Sequence, residues 1–145
     1  MIAVAIDGSE ASAAALAFAI DLAQREGERL SGVFVLDSGW ADFIGNDWQS
    51  SRNARQGFLD YVLEELQQQA ELARDQFATA ASTLPGASFN SLPGVPAEAL
   101  CEMMRRNEFS ALVLGPKTFQ CCGRPSVKRL VKDLSRKVRQ PLYVV

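Results

Sequence analysis

The chain has 145 residues, 48% of them hydrophobic, and a formal net charge of -2. That length suits one domain with a real core, and the apolar share suits a globular protein. A slightly acidic chain is not a general nucleic-acid binder, and no apolar run is long enough to span a bilayer.

The first element is a continuous apolar run, Ile2-Ala3-Val4-Ala5-Ile6, which predicts a strand over 2–7 buried on both faces. The run is interrupted by Asp7, and no signal-peptide pattern is present, so the expectation is a cytosolic protein. Asp7-Gly8-Ser9 reads as a turn, with Ser9 as the cap of a helix over 10–26 and Gly27 as its stop. A second strand is expected near 30–36. The stretch 37–53 is long for a connection and holds Trp40, Phe43, Ile44 and Trp48. Two readings stand for it: a cover over the sheet edge, or a lid or partner surface.

A helix near 55–83 carries the stripe Phe58, Val62, Leu66, Ala70, Ala73, Phe77 and Ala81, an ordinary core face. A third strand is expected over 87–92. Pro96 suits the first turn of a helix over 96–107, with Glu98 near its positive end. Ala111-Leu112-Val113-Leu114 predicts a fourth strand over 110–115, ended by Gly115. A helix over 125–139 stripes Val127, Leu130, Val131, Leu134 and Val138, and a strand over 141–145 closes the chain. Strand and helix alternate, so a mainly parallel sheet with helices on both faces is expected. Where such a sheet's strands end, a small-residue turn leading into a helix is a natural place for phosphate.

Chemistry-bearing residues are few. The chain has no histidine, which removes the commonest general base. Cys101, Cys121 and Cys122 form neither a disulfide framework nor a metal motif. Cys101 reads as a core residue. Cys121 and Cys122 stand beside Lys117 and Arg124, whose charge favours thiolate, so an oxidant-sensing pair competes with an incidental one. From Lys117 to Arg139 there are eight basic residues against Asp133 alone. A solvated helix face accounts for most of them. An anionic ligand or an acidic partner is the functional alternative.

The segments IAVAIDGSEASAAALAFAIDLAQ, GVPAEAL and ALVLG with the closing PLYVV resemble the universal stress protein family over nearly the whole chain, read as one domain over 1–145. The resemblance implies an open five-stranded α/β sheet of order 3-2-1-4-5, of the adenine-nucleotide α-hydrolase-like kind. It implies that Asp7 faces the nucleoside of ATP and that main-chain groups near Val35 hold the adenine. In the nucleotide-binding branch the last third reads Gly, two residues, Gly, nine residues, then Gly-Ser or Gly-Thr. Here that spacing starts at Gly115 and lands on Thr118 and on Lys128-Arg129. Glycine there would allow positive φ and close approach of amides to phosphate. Thr118 still has an amide, but its branched Cβ resists positive φ.

The expectation is therefore a non-enzymatic stress-response or signalling domain, with no catalytic residue, no metal and no required cofactor, and with weak or lost ATP binding. The alternative is a nucleotide- or anion-binding switch in which Lys117, Lys128 and Arg129 replace the glycine amides by charge. The closing apolar strand would sit at the sheet border, where an exposed edge invites pairing. A homodimer through Leu142, Tyr143, Val144 and Val145 is expected, with room for an unidentified protein partner but none for nucleic acid or membrane.

Overall fold

At the centre of the sheet β1 (Ile2–Ala5) lies between β2 (Leu30–Asp37) and β4 (Ala111–Leu114). Beyond them stand β3 (Ser88–Gly94) and β5 (Leu142–Val144), and every pair is parallel in the order β3-β2-β1-β4-β5. The computed structural model describes residues 1–37, 52–106, 108–119 and 129–145. The helices are α1 (Glu10–Glu26), α2 (Arg52–Ala80), α3 (Pro96–Arg105) and α4 (Leu130–Lys137). α1 packs with α2, and α3 with α4, so the sheet is covered on both faces. Ile2 to Ile6 and Leu112 to Leu114 are accordingly wholly buried.

This arrangement bears out the expected fold and strand order, with element ends within a few residues of those read from the chain, except that the expected start of the last helix at 125, with Val127, lies outside the described residues. Gly27 ends α1 at φ 65, and its N–H donates to the Ala23 carbonyl. Pro96 opens α3. α4 ends at Lys137 because Val138 is extended, at ψ 127, so Val138 lies just past the helix rather than within it.

Two packing details differ from the sequence reading. The stripe on α2 is core only in its second half: Leu66, Ala73, Phe77 and Ala81 are buried, Val62 and Ala70 are half-buried, and Phe58 is exposed. The 29-residue helix extends to about 43 Å at 1.5 Å per residue. The eight-residue strand beside it spans only about 26 Å at 3.3 Å per residue, so α2 is longer than the strand it packs on by about 17 Å. The second difference is Gly32. A Cβ built there would lie 2.5 Å from the Phe77 ring, so the missing side chain on β2 is what lets α2 sit down on the sheet.

Candidate functional site

β1 and β4 are neighbours, but the chain leaves β1 towards β2 and leaves β4 towards β5. The strand order reverses between them, and the crevice beyond their carboxyl ends is where such sheets take ligands. Two turns meet there.

The first turn is Asp7-Gly8-Ser9. Gly8 adopts φ 80, and a Cβ on it would stand 3.0 Å from both Ala73 N and Leu72 Cβ, so only glycine fits between this turn and α2. Asp7 is 2% exposed. Its Oδ1 accepts hydrogen bonds from Ser9 N–H at 3.0 Å and from the Ser9 hydroxyl, and its Oδ2 accepts one from Phe119 N–H at 2.9 Å. Ser9 does stand at the N-cap of α1, but its hydroxyl caps no amide. A carboxylate two residues upstream is the stronger acceptor, and it turns the hydroxyl into a donor. Ser12 and Gln76 brace the turn. The Ser12 hydroxyl bonds the Ser9 carbonyl and Gln76 Oε1, each at 3.0 Å, and Gln76 Nε2 donates to the Ser9 carbonyl at 3.0 Å.

The second turn follows β4. Gly115 N–H donates to Thr118 Oγ1 at 2.9 Å, and Thr118 N–H donates to the Gly115 carbonyl at 3.2 Å. Both groups of Thr118 thus close their own turn, and Thr118 is buried. This corrects the expectation that its amide stays available to a phosphate. Phe119 takes the positive φ instead, at 67, the only non-glycine to do so among the described residues. It is fully buried, and its ring meets that of Phe34 on β2 edge-on at 5.9 Å between centroids. Sequence reasoning missed Phe119. A phenylalanine carries no phosphate chemistry, and only its place one residue after the missing glycine could have drawn attention to it.

Val35 is buried on β2, paired with Leu92. Peptide groups alternate sides along a strand, and Val33 O accepts Ile6 N–H. Val35 therefore turns its main-chain groups to the same side, past the end of β1. Lys117 and Arg129 are exposed, and Arg129 stands at the N-cap of α4. Lys128, Arg124, Cys121 and Cys122 lie outside the described residues, as does most of the aromatic stretch 37–53. Cys101 is 4% exposed on α3, and burial pushes its thiol up.

At the far border, β5 has Leu142 and Tyr143 half-buried and Val144 exposed, and Val145 just past it is exposed too. Tyr143 packs its ring on Phe18 of α1 at 5.4 Å. Among the described residues no group of acidic, cysteine or histidine side chains could hold a metal, and no helix is long and apolar enough to cross a membrane.

The profile of the Universal stress protein family matches residues 1–140. No curated protein matches the chain. Among solved structures, the universal stress protein UspA from Lactobacillus plantarum is 22% identical, with TM-score 0.70, covering 99% of this chain and 95% of its own. A universal stress protein in complex with cAMP is 15% identical, with TM-score 0.61, covering 99% of this chain and 94% of its own. The universal stress protein from Archaeoglobus fulgidus in complex with dAMP is 17% identical, with TM-score 0.58, again covering 99% and 94%. The same five-stranded order and the match over nearly all of its length lead to one conclusion: the chain belongs to the universal stress protein family.

Proposed function

We propose that this protein is a cytoplasmic, non-enzymatic stress-response domain that works as a homodimer and binds ATP weakly or not at all. The observation that carries the reading is the Asp7 carboxylate. Both its oxygens already accept hydrogen bonds from the chain itself. The Thr118 amide is likewise engaged, with Gly115. Similar proteins have been solved in complex with cAMP and with dAMP, which supports reading the crevice as a nucleotide site. Here a nucleotide would have to compete with bonds that the chain already makes to these groups. Losing two phosphate contacts of about 1.5–3 kcal/mol each lowers affinity by about 10²- to 10⁴-fold. Calorimetry with millimolar ATP and Mg²⁺ tests this. The expected result is no binding or a dissociation constant near millimolar, and a low-micromolar constant overturns it.

The competing reading, an anion-binding switch, draws on Arg129, which is exposed at the start of α4 where no side chain caps the helix. The same titration decides between them, since Arg129→Ala weakens binding only in a switch.

The dimer reading draws on β5. Pro141 O and Val145 N both bond β4, so by alternation the peptide groups of residues 141, 143 and 145 face β4. Those of Leu142 and Val144 face the open border. An antiparallel partner strand from a second copy would satisfy them in an isologous contact.

A further inference from the structure

We infer that the cleft between the C-terminal ends of α3 and α4 is a second ligand site, one that takes a small organic anion with an apolar body. It lies at the amino edge of the sheet, at the end opposite the crevice beyond β1 and β4. Nothing in it depends on whether that crevice binds a nucleotide.

The topology makes the cleft. All strands are parallel, so α3 and α4 both run back to the amino edge and end there packed together. α3 stops at Arg105 and the chain enters β4 past Phe109, while α4 stops at Lys137 and the chain enters β5 past Gln140. The space left between these ends is about 630 Å³, within the range of about 300–1,000 Å³ usual for small-molecule sites. Its floor is apolar: Cys101 and Met104 are buried, and Phe109 and Val138 are half-buried. Gln140 fastens that floor. Its Nε2 donates to the Met104 carbonyl at 2.6 Å and to the Phe109 carbonyl at 3.4 Å, tying the end of α3 to the entry of β4. Other carbonyls at the helix ends are also engaged, Met103 O by Arg106 N–H at 3.3 Å and Leu134 O by Val138 N–H at 2.9 Å.

The rim is cationic. Arg105, Lys137 and Arg139 line it, all exposed, and none of the described lining residues is acidic. Glu102 pairs with Arg105 at 3.6 Å, but the two side chains are 63% and 68% exposed, and such a pair is weak. Burial pushes the Cys101 thiol up against the pull of Lys137 and Arg105, with Asp133 adding slightly to the rise. Both cations therefore act at the floor, and the neutral thiol puts no negative charge there. Cations at helix C-termini are ordinary by themselves. What singles these out is the apolar floor they surround. A bare anion would meet the cations and leave the floor wet, and a neutral apolar molecule would fill the floor and leave the cations unused. An apolar body ending in a carboxylate matches both, since Arg and Lys give it charge-assisted hydrogen bonds and Met104 and Phe109 pack well on an aromatic ring.

Three probes separate these requirements: 4-phenylbutyrate, its uncharged amide 4-phenylbutanamide, and inorganic phosphate. In calorimetry the native protein should bind 4-phenylbutyrate with a dissociation constant of about 1 mM or tighter, and the amide and phosphate at least about tenfold more weakly. Amide NMR shifts caused by 4-phenylbutyrate should centre on Met104, Phe109 and Val138. Lys137→Gln with Arg139→Gln should weaken the carboxylate at least about tenfold and leave the amide unchanged. Lys132→Gln with Arg136→Gln removes the same charge from the same part of the chain outside the cleft, and should change affinity by less than about twofold. All four side chains are exposed, so both variants should fold. No binding of 4-phenylbutyrate at about 10 mM overturns the site. Shifts centred elsewhere, on Gly8 and Phe119 at the crevice for example, overturn its place. Equal affinity for the amide, or equal losses in the two double variants, overturns the part given to the rim cations.

Discussion

Phe119 N–H donates to Asp7 Oδ2 across 112 residues at 2.9 Å, so the residue that ends β1 and the turn that follows β4 are one hydrogen-bonded unit. Folding makes the pair by bringing the two central strands side by side. The bond ties the left-handed backbone of Phe119 to the turn that follows β1. Asp7→Ala leaves the buried Phe119 N–H without its acceptor and the half-buried Ser9 donors without theirs, and should cost about 1–3 kcal/mol in urea denaturation, chiefly through the buried group.

Thr118 is a brace for Gly115. Thr118→Val keeps the shape and deletes the acceptor of the Gly115 N–H. The expected loss is about 1–3 kcal/mol. Thr118→Ser retains the hydroxyl and should recover most of it, and equal losses for the two variants would remove this role. Denaturation midpoints of both variants check it.

Gly32 and Phe77 should be coupled. Gly32→Ala forces a Cβ into the ring and should destabilise by about 1–3 kcal/mol. In a Phe77→Leu background the same substitution should cost less, because a smaller side chain leaves room. A double-mutant cycle measures the difference, and strict additivity would contradict the close contact.

Gly8 and Gly27 both have positive φ, yet a Cβ on Gly27 meets nothing within 4 Å while one on Gly8 meets α2. Gly27→Ala should therefore cost only the backbone strain, about 1–2 kcal/mol. Gly8→Ala should cost more, through strain and displacement of α2 together. Thermal melts of the two variants give the order.

Glu28 supplies a pH dependence. Its carboxyl is held below the usual carboxylate range, first by the Met1 amine at 3.0 Å and then by the Ser110 hydroxyl at 2.8 Å. A lowered folded-state pKa gives stability that is present above the unfolded value near 4.3 and is lost as pH falls through the folded value. Glu28→Gln should be less stable at pH 7 by under about 1 kcal/mol, because the pair is partly exposed. The two proteins should converge in stability as the pH falls through the lowered folded-state pKa.

Val144→Pro tests the dimer without touching β4, since residue 144 directs its N–H outward. Light scattering at micromolar concentration should give twice the chain mass for the native protein and a shift to monomer for the variant. Tyr143 is a poor choice for that test, because its ring also packs on Phe18. A monomeric native protein would end the dimer proposal.

What the sequence determined by itself was the fold. Uninterrupted apolar runs at 2–6 and 111–114 suit strands buried on both faces, and the helical stripes between them suit a parallel sheet covered on both faces. The end of α1 at Gly27 and the start of α3 at Pro96 were legible for the same reason, since each is a local property of one residue. The state of the site was decided by tertiary structure. Ser9 reads as a cap until Asp7 takes its hydroxyl, and Thr118 reads as an available amide until Gly115 takes both of its groups. Phe119 carries no signal in the chain beyond its place one residue after the missing glycine. Its role exists only because β1 and β4 are neighbours, and a hydrogen bond across 112 residues has no local pattern to announce it.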